Sequence, residues 1–136
     1  DWIITSPPYY GMQTYLADHW LRLWFMGNDP IVNYDKTGQL KHTGKDLFAS
    51  ELRQVWLNAE LVSNSQTTMV IRFGALPSIK SNPLEVLEAS LENTRWVIQK
   101  IDSAGFASDG NRQAYQQAKN RSNPIEEWDV WVKLNS

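Results

Sequence analysis

Apolar residues fall into short β-prone runs and longer segments with helical spacing. Trp2-Ile3-Ile4-Thr5 is a β-prone run cut off by Pro7-Pro8, and it predicts a buried strand ending in a rigid loop. From Thr14 to Met26, Leu16, Trp20, Leu23 and Trp24 recur at helical spacing, with apolar residues on more than one face. This predicts a largely buried helix, stopped by Gly27-Asn28-Asp29-Pro30. Residues 28–45 are polar and read as a long loop. Thr43 followed by Asp46 offers a capping start for a second helix, near Asp46 to Val62, with Phe48, Leu52, Val55, Ala59 and Val62 along its buried stripe.

Thr67 to Phe73 reads as a strand ended by Gly74 and Pro77. Asn82 as N-cap, Pro83 at the first helical position and Glu85 three residues after the cap mark a third helix. Its expected buried face is Leu84, Leu87, Leu91, Ile98 and Ile101, with Gly105 as the stop. Phe106-Ala107-Ser108 reads as a short strand, Asp109-Gly110 as a turn, and residues 111–124 as polar and partly helical. Trp128 to Leu134 alternates as a strand with one buried face should.

The resulting order is strand, helix, helix, strand, helix, strand, strand. Strands separated by amphipathic helices imply an α/β fold with a mostly parallel sheet and crossover helices. The last two strands, joined without a long helix, imply an antiparallel terminal pair at one edge. The expectation is half of a doubly wound, Rossmann-like sheet.

At 136 residues the chain amounts to one domain. With 42% hydrophobic and 21% charged residues it has the composition of a globular protein rather than a disordered one. A net charge of −2 excludes a globally cationic nucleic-acid protein, but not a local basic face. Residues 95–121 hold such a stretch: Arg95, Lys100, Arg112, Lys119 and Arg121 against Asp102 and Asp109, net +3. It reads either as a solvated loop or as a face for a phosphate backbone. The lack of cysteine excludes disulfides, thiol nucleophiles and thiolate metal sites. No apolar run reaches the roughly 20 residues a membrane helix needs. A cytoplasmic location is expected. The opening at Asp1 reads as a fragment whose natural beginning lies upstream.

The segment with chemical content is Thr5-Ser6-Pro7-Pro8-Tyr9, directly after the first strand. In open α/β sheets ligands bind at the carboxyl ends of strands. Two prolines fix two φ angles, lack N–H groups and hold their carbonyls in set directions. Ser6 adds an acceptor, and an aromatic ring can lie against a planar ligand. Such a loop suits the exocyclic amine of a base, whose hydrogens would bond to the fixed acceptors while the ring stacks on Tyr9. The plainer reading is a strand-ending Pro-Pro turn whose tyrosine packs on the core.

Asp1-Trp2-Ile3-Ile4-Thr5-Ser6-Pro7-Pro8-Tyr9 resembles the catalytic motif of the amino-DNA methyltransferases, which methylate cytosine N4 or adenine N6 with S-adenosylmethionine. The Ser-Pro-Pro-Tyr form is most similar to the N4-cytosine group. The resemblance is strong over about nine residues and extends further only through element order. It implies a seven-stranded Rossmann-like sheet with an antiparallel last strand. It also implies DNA as partner and a setting such as restriction–modification. Ser6, Pro7, Pro8 and the loop carbonyls would hold the amine, and Tyr9 would stack on the flipped base. The family's cofactor loop, of Phe-x-Gly-x-Gly type, has no counterpart here: Arg72-Phe73-Gly74-Ala75-Leu76-Pro77 has a single glycine. The expectation is therefore the catalytic-loop half of a methyltransferase over residues 1–136. The S-adenosylmethionine half would lie upstream, no cofactor-binding residue is assigned, and the fragment alone would be inactive.

Tyr10 and Gln13 follow the motif and are candidates to line the base pocket, or else they cover the next helix. Arg112 is a candidate phosphate contact. His19 and His42 show no metal-ligand spacing, so no metal is expected. The tryptophans, notably Trp20, Trp24, Trp56, Trp96, Trp128 and Trp131, read as core or subunit-contact residues, with Trp131 opposite Val130 and Val132 and packed under a helix. Two rival functions stay open. One is an RNA or protein-amide methyltransferase with a similar loop. The other is a non-catalytic binding or dimerisation module, in which a homodimer covers the exposed half-sheet.

Overall fold

A computed structural model describes residues 1–11, 16–32, 40–41, 43–76, 81–106 and 126–135, without the side chains of 16–19. The elements are β1 (Trp2–Thr5), α1 (Leu16–Phe25), α2 (Lys45–Leu61), β2 (Thr68–Gly74), α3 (Pro83–Leu91), β3 (Trp96–Phe106) and β4 (Glu126–Leu134).

The sheet order is β1-β2-β4-β3. Among the described residues only β1 and β2 pair in parallel; β2–β4 and β4–β3 are antiparallel. The expected mostly parallel, Rossmann-like sheet is therefore overturned in favour of a mixed one. The cause is the insertion of β4 between β2 and β3, which converts a would-be parallel neighbour pair into two antiparallel ladders. The pairings also mean that β1, β2 and β3 point the same way and β4 alone is reversed.

One face of the sheet carries Met69, Ile71 and Phe73 of β2 with Val130 and Val132 of β4. On it lie Phe48, Leu52 and Trp56 of α2 and Val86, Leu87 and Leu91 of α3. The helices are tied to each other and to β3. The Trp56 indole donates to Ser90, Arg53 Nη2 donates to the Ala89 carbonyl, and the Trp96 indole donates to the Trp56 carbonyl. Each bond satisfies a group that burial would otherwise leave costly.

Several local expectations change. The buried stripe of α2 runs through Phe48, Leu52 and Trp56, while Val55 and Val62 are exposed, so the helix is rotated toward its largest side chain. Gly44, not Thr43, is its N-cap, with no side-chain cap bond. Asn82 does cap α3, accepting from the Leu84 amide.

However, α3 ends at Leu91 rather than near Gly105. Asn93 turns the chain at φ 58°, and Thr94 Oγ1 donates to the Leu91 carbonyl. Trp96 to Phe106 then forms β3, so Ile98 and Ile101 are strand residues paired with Val132 and Val130. Helical spacing and β-branched content conflict over this stretch, and the ladder with β4 decides it. Gly105 lies in β3 beside a register shift between Ser103 and Phe106, not at a helix end. Residues 107–124 lie outside the described residues.

The expected burial of α1 is also overturned. Leu21, Leu23, Trp24 and Phe25 are 46–86% exposed, and Trp20 and Trp24 stack on each other along the helix. Among the described residues no helix is long and apolar enough to cross a membrane.

Candidate functional site

β1 ends at Thr5, and Ser6-Pro7-Pro8-Tyr9 leaves the sheet at the carboxyl end of that strand. β2 runs parallel beside it, with Thr5 opposite Ile71, so the ends of two parallel strands lie together. Ser6 and Pro8 are exposed and Pro7 is half-buried. Gly11 closes the turn at φ 80°, a backbone region that disfavours a side chain.

Tyr9 points inward and is 5% exposed. Its ring meets Phe73 edge-on at 5.5 Å. Its hydroxyl donates to Glu127 Oε1 at 2.7 Å. Burial pushes the phenol pKa well above its ordinary value, and the bond to Glu127 and that carboxylate's charge push it further, while the Ser6 hydroxyl and Arg72 act the other way. In this arrangement the ring that the motif offers for base stacking is enclosed by protein. Tyr10 packs on Phe48, with centroids 5.5 Å apart.

Glu127 lies at the start of β4, opposite Gly74 at the end of β2. A Cβ on Gly74 would stand 3.2 Å from both the Glu127 side chain and the Tyr9 ring. Glycine at position 74 thus allows this close approach without displacing the Tyr9 ring or the Glu127 side chain.

On the opposite face of the sheet from α2 and α3, Arg72 pairs with Asp129 directly across the β2–β4 ladder. Nε and Nη2 donate to Oδ1 and Oδ2, each at 2.8 Å, a bidentate fork. The hydrogen bond to Asp129 raises the Arg72 pKa, so the guanidinium stays charged. Asp102 lies opposite Asp129 in the β3–β4 ladder; Lys100 at 2.7 Å and Arg72 offset the two like charges.

Beside this pair lies an open depression of about 480 Å³ lined by Ile4, Thr5, Ser6, Val70, Arg72 and Asp129. Farther along the same face Trp2 of β1 reaches across β2 to meet Trp131 of β4 edge to face at 6.0 Å. Trp2 is 65% and Ile4 81% exposed.

The site therefore joins Ser6, Pro7, Pro8, Tyr9 and Tyr10 on one connection. Gln13 and Arg112 lie outside the described residues, as does His42. Glu127, Arg72 and Asp129 were not singled out from the sequence. The signal for Arg72 and Asp129 was their polar character at the solvent-side positions of otherwise apolar strands. Among the described residues no group of three or more His, Cys, Asp or Glu could hold a metal ion. Gly74, the single glycine ending β2, is closely approached by Tyr9 and Glu127.

No protein-family model, curated protein or solved structure matches the chain.

Proposed function

We propose that this chain supplies the base-holding loop of an enzyme that methylates an exocyclic amino nitrogen of a DNA base, cytosine N4 before adenine N6. The observation that carries the proposal is the position of Ser6-Pro7-Pro8 at the carboxyl end of β1, beside parallel β2, with Ser6 opening into a depression. Ser6 and the proline-fixed carbonyls are acceptors for amine hydrogens. Holding those hydrogens turns the nitrogen lone pair toward a methyl group in line, and orientation supplies much of the rate. Tyr9, locked by Glu127, fixes the exit of the loop. A base reaching the ring requires Tyr9 to turn out of its pocket, or else stacks on the loop without it. The methyl source, S-adenosylmethionine in the family resembled, is left to residues other than the described ones. A cytoplasmic, monomeric or dimeric enzyme acting on DNA belongs to the same proposal.

The test is methyl transfer from labelled S-adenosylmethionine by the natural protein, with DNA, RNA and protein offered in parallel. Label in DNA, lost in Ser6→Ala and Pro8→Ala proteins of normal stability, is the expected outcome. Label in RNA or protein alone would move the substrate, and label in none would end the enzymatic reading. The exposure of Trp2 and Ile4 favours a second reading, a module that associates through the sheet face these residues share.

A further inference from the structure

We propose that Arg72, held by Asp129, reads the acceptor edge of the target base, and that this edge is cytosine's. The inference deepens the amino-methyltransferase reading and rests on it.

The depression beside the loop begins at Ser6. An amine held at Ser6 places the remainder of its ring over Ile4 and Val70, an apolar floor suited to a flat face. Arg72 lines the same depression one residue past Ile71, the partner of Thr5, and so stands beside Ser6. Its Nε and Nη2 are engaged by Asp129, which fixes the plane of the guanidinium. These two bonds leave donors over, and those on Nη1 have no partner among the described residues. The side chain stays 42% exposed within the depression.

Charge selects the ligand. Asp129 lines the same depression and neutralises the guanidinium, so a phosphate there would meet a carboxylate as well as a cation. What remains is a directional donor for neutral acceptors. Cytosine carries an amino group, a ring nitrogen acceptor and a carbonyl in a row on its Watson–Crick edge. The amine faces Ser6 and the two acceptors face Arg72. Adenine offers an amine and one ring nitrogen followed by C–H, so the last donor would be left unmatched. Thymine presents a carbonyl where Ser6 and the proline carbonyls require a donor.

The experiment uses the natural protein, plasmid DNA and nucleoside analysis of the products, with the salt dependence of DNA binding measured alongside. Arg72→Gln removes the cation, and Arg72→Lys keeps it beside Asp129 without the planar fork, which guards against a variant that fails to fold. The expected result is N4-methylcytosine from the wild type, with kcat/KM lowered roughly tenfold or more in both variants and the salt slope of binding unchanged. A loss of binding with the slope reduced by about one phosphate would make Arg72 a backbone contact and overturn the proposal. Unchanged kcat/KM, or N6-methyladenine as the wild-type product, would overturn it too while leaving the methyltransferase reading in place. A wild type that makes neither product removes that reading, and Arg72's role goes with it.

Discussion

Tyr9 and Glu127 are 118 positions apart in the chain, and the hydroxyl of one donates to the carboxylate of the other at 2.7 Å. Tyr9 is 5% exposed and Glu127 3%. The bond fastens the loop after the first strand to the start of the last.

Breaking that bond from one side should cost more than removing both groups. Tyr9→Phe leaves a buried carboxylate without this donor, and Glu127→Leu leaves a buried hydroxyl without this acceptor, at about 1–3 kcal/mol each. In the double variant Tyr9→Phe/Glu127→Leu the two losses should sum to clearly less than the singles added together. Denaturant unfolding of the four proteins measures the coupling. Strict additivity would mean that the two residues do not share a bond.

The same phenol predicts an alkaline limit. Its folded pKa is raised, so the unfolded chain releases the Tyr9 proton first, near its ordinary value of 10. Stability from this group is fully present below that pH. Above it, stability falls by up to about 1.4 kcal/mol per pH unit until the folded pKa is passed. The wild-type stability minus that of Tyr9→Phe should therefore be level below pH 10 and shrink between pH 10 and 11. A difference that grows there would reverse the assignment.

Gly74→Ala should destabilise the protein by roughly 1–3 kcal/mol, the usual range for overpacking, because its Cβ would press on Tyr9 and Glu127 at 3.2 Å. The same methyl displaces the Tyr9 ring, so tyrosine exposure to a small nitrating reagent should rise in this variant. Unchanged stability would show that the ring and carboxylate yield freely.

The exposure of Trp2 and Ile4 predicts self-association. With Trp2 and Ile4 mostly exposed beside Trp131, sedimentation should show concentration-dependent association, and Ile4→Lys should weaken it by several-fold. A monomer at all concentrations would count against the dimerising module.

The positions of β1, β4 and the start of α3 followed from local pattern, while the strand over Trp96–Phe106 had read as helix. Isoleucine and threonine ahead of two prolines fix β1, Asn82-Pro83 fixes the start of α3, and the alternation after Trp128 fixes β4, because each of these signals acts within a few residues. The loop Ser6-Pro7-Pro8-Tyr9 was legible for the same reason. Sheet pairing was not. Whether β4 lies outside β3 or between β2 and β3 depends on contacts across the whole chain, and that placement alone turned a parallel expectation into a mixed sheet. It also decided where Ile98 and Ile101 belong, since their apolar character satisfies a helix or a strand and only the β4 ladder separates the two. The partners of the loop came from the same source. Glu127, Arg72 and Asp129 are ordinary charged residues in sequence, and register across β2 and β4 brings them together beside Ser6 and Tyr9. Local chemistry determined which residues could act, and long-range pairing decided which of them share a site.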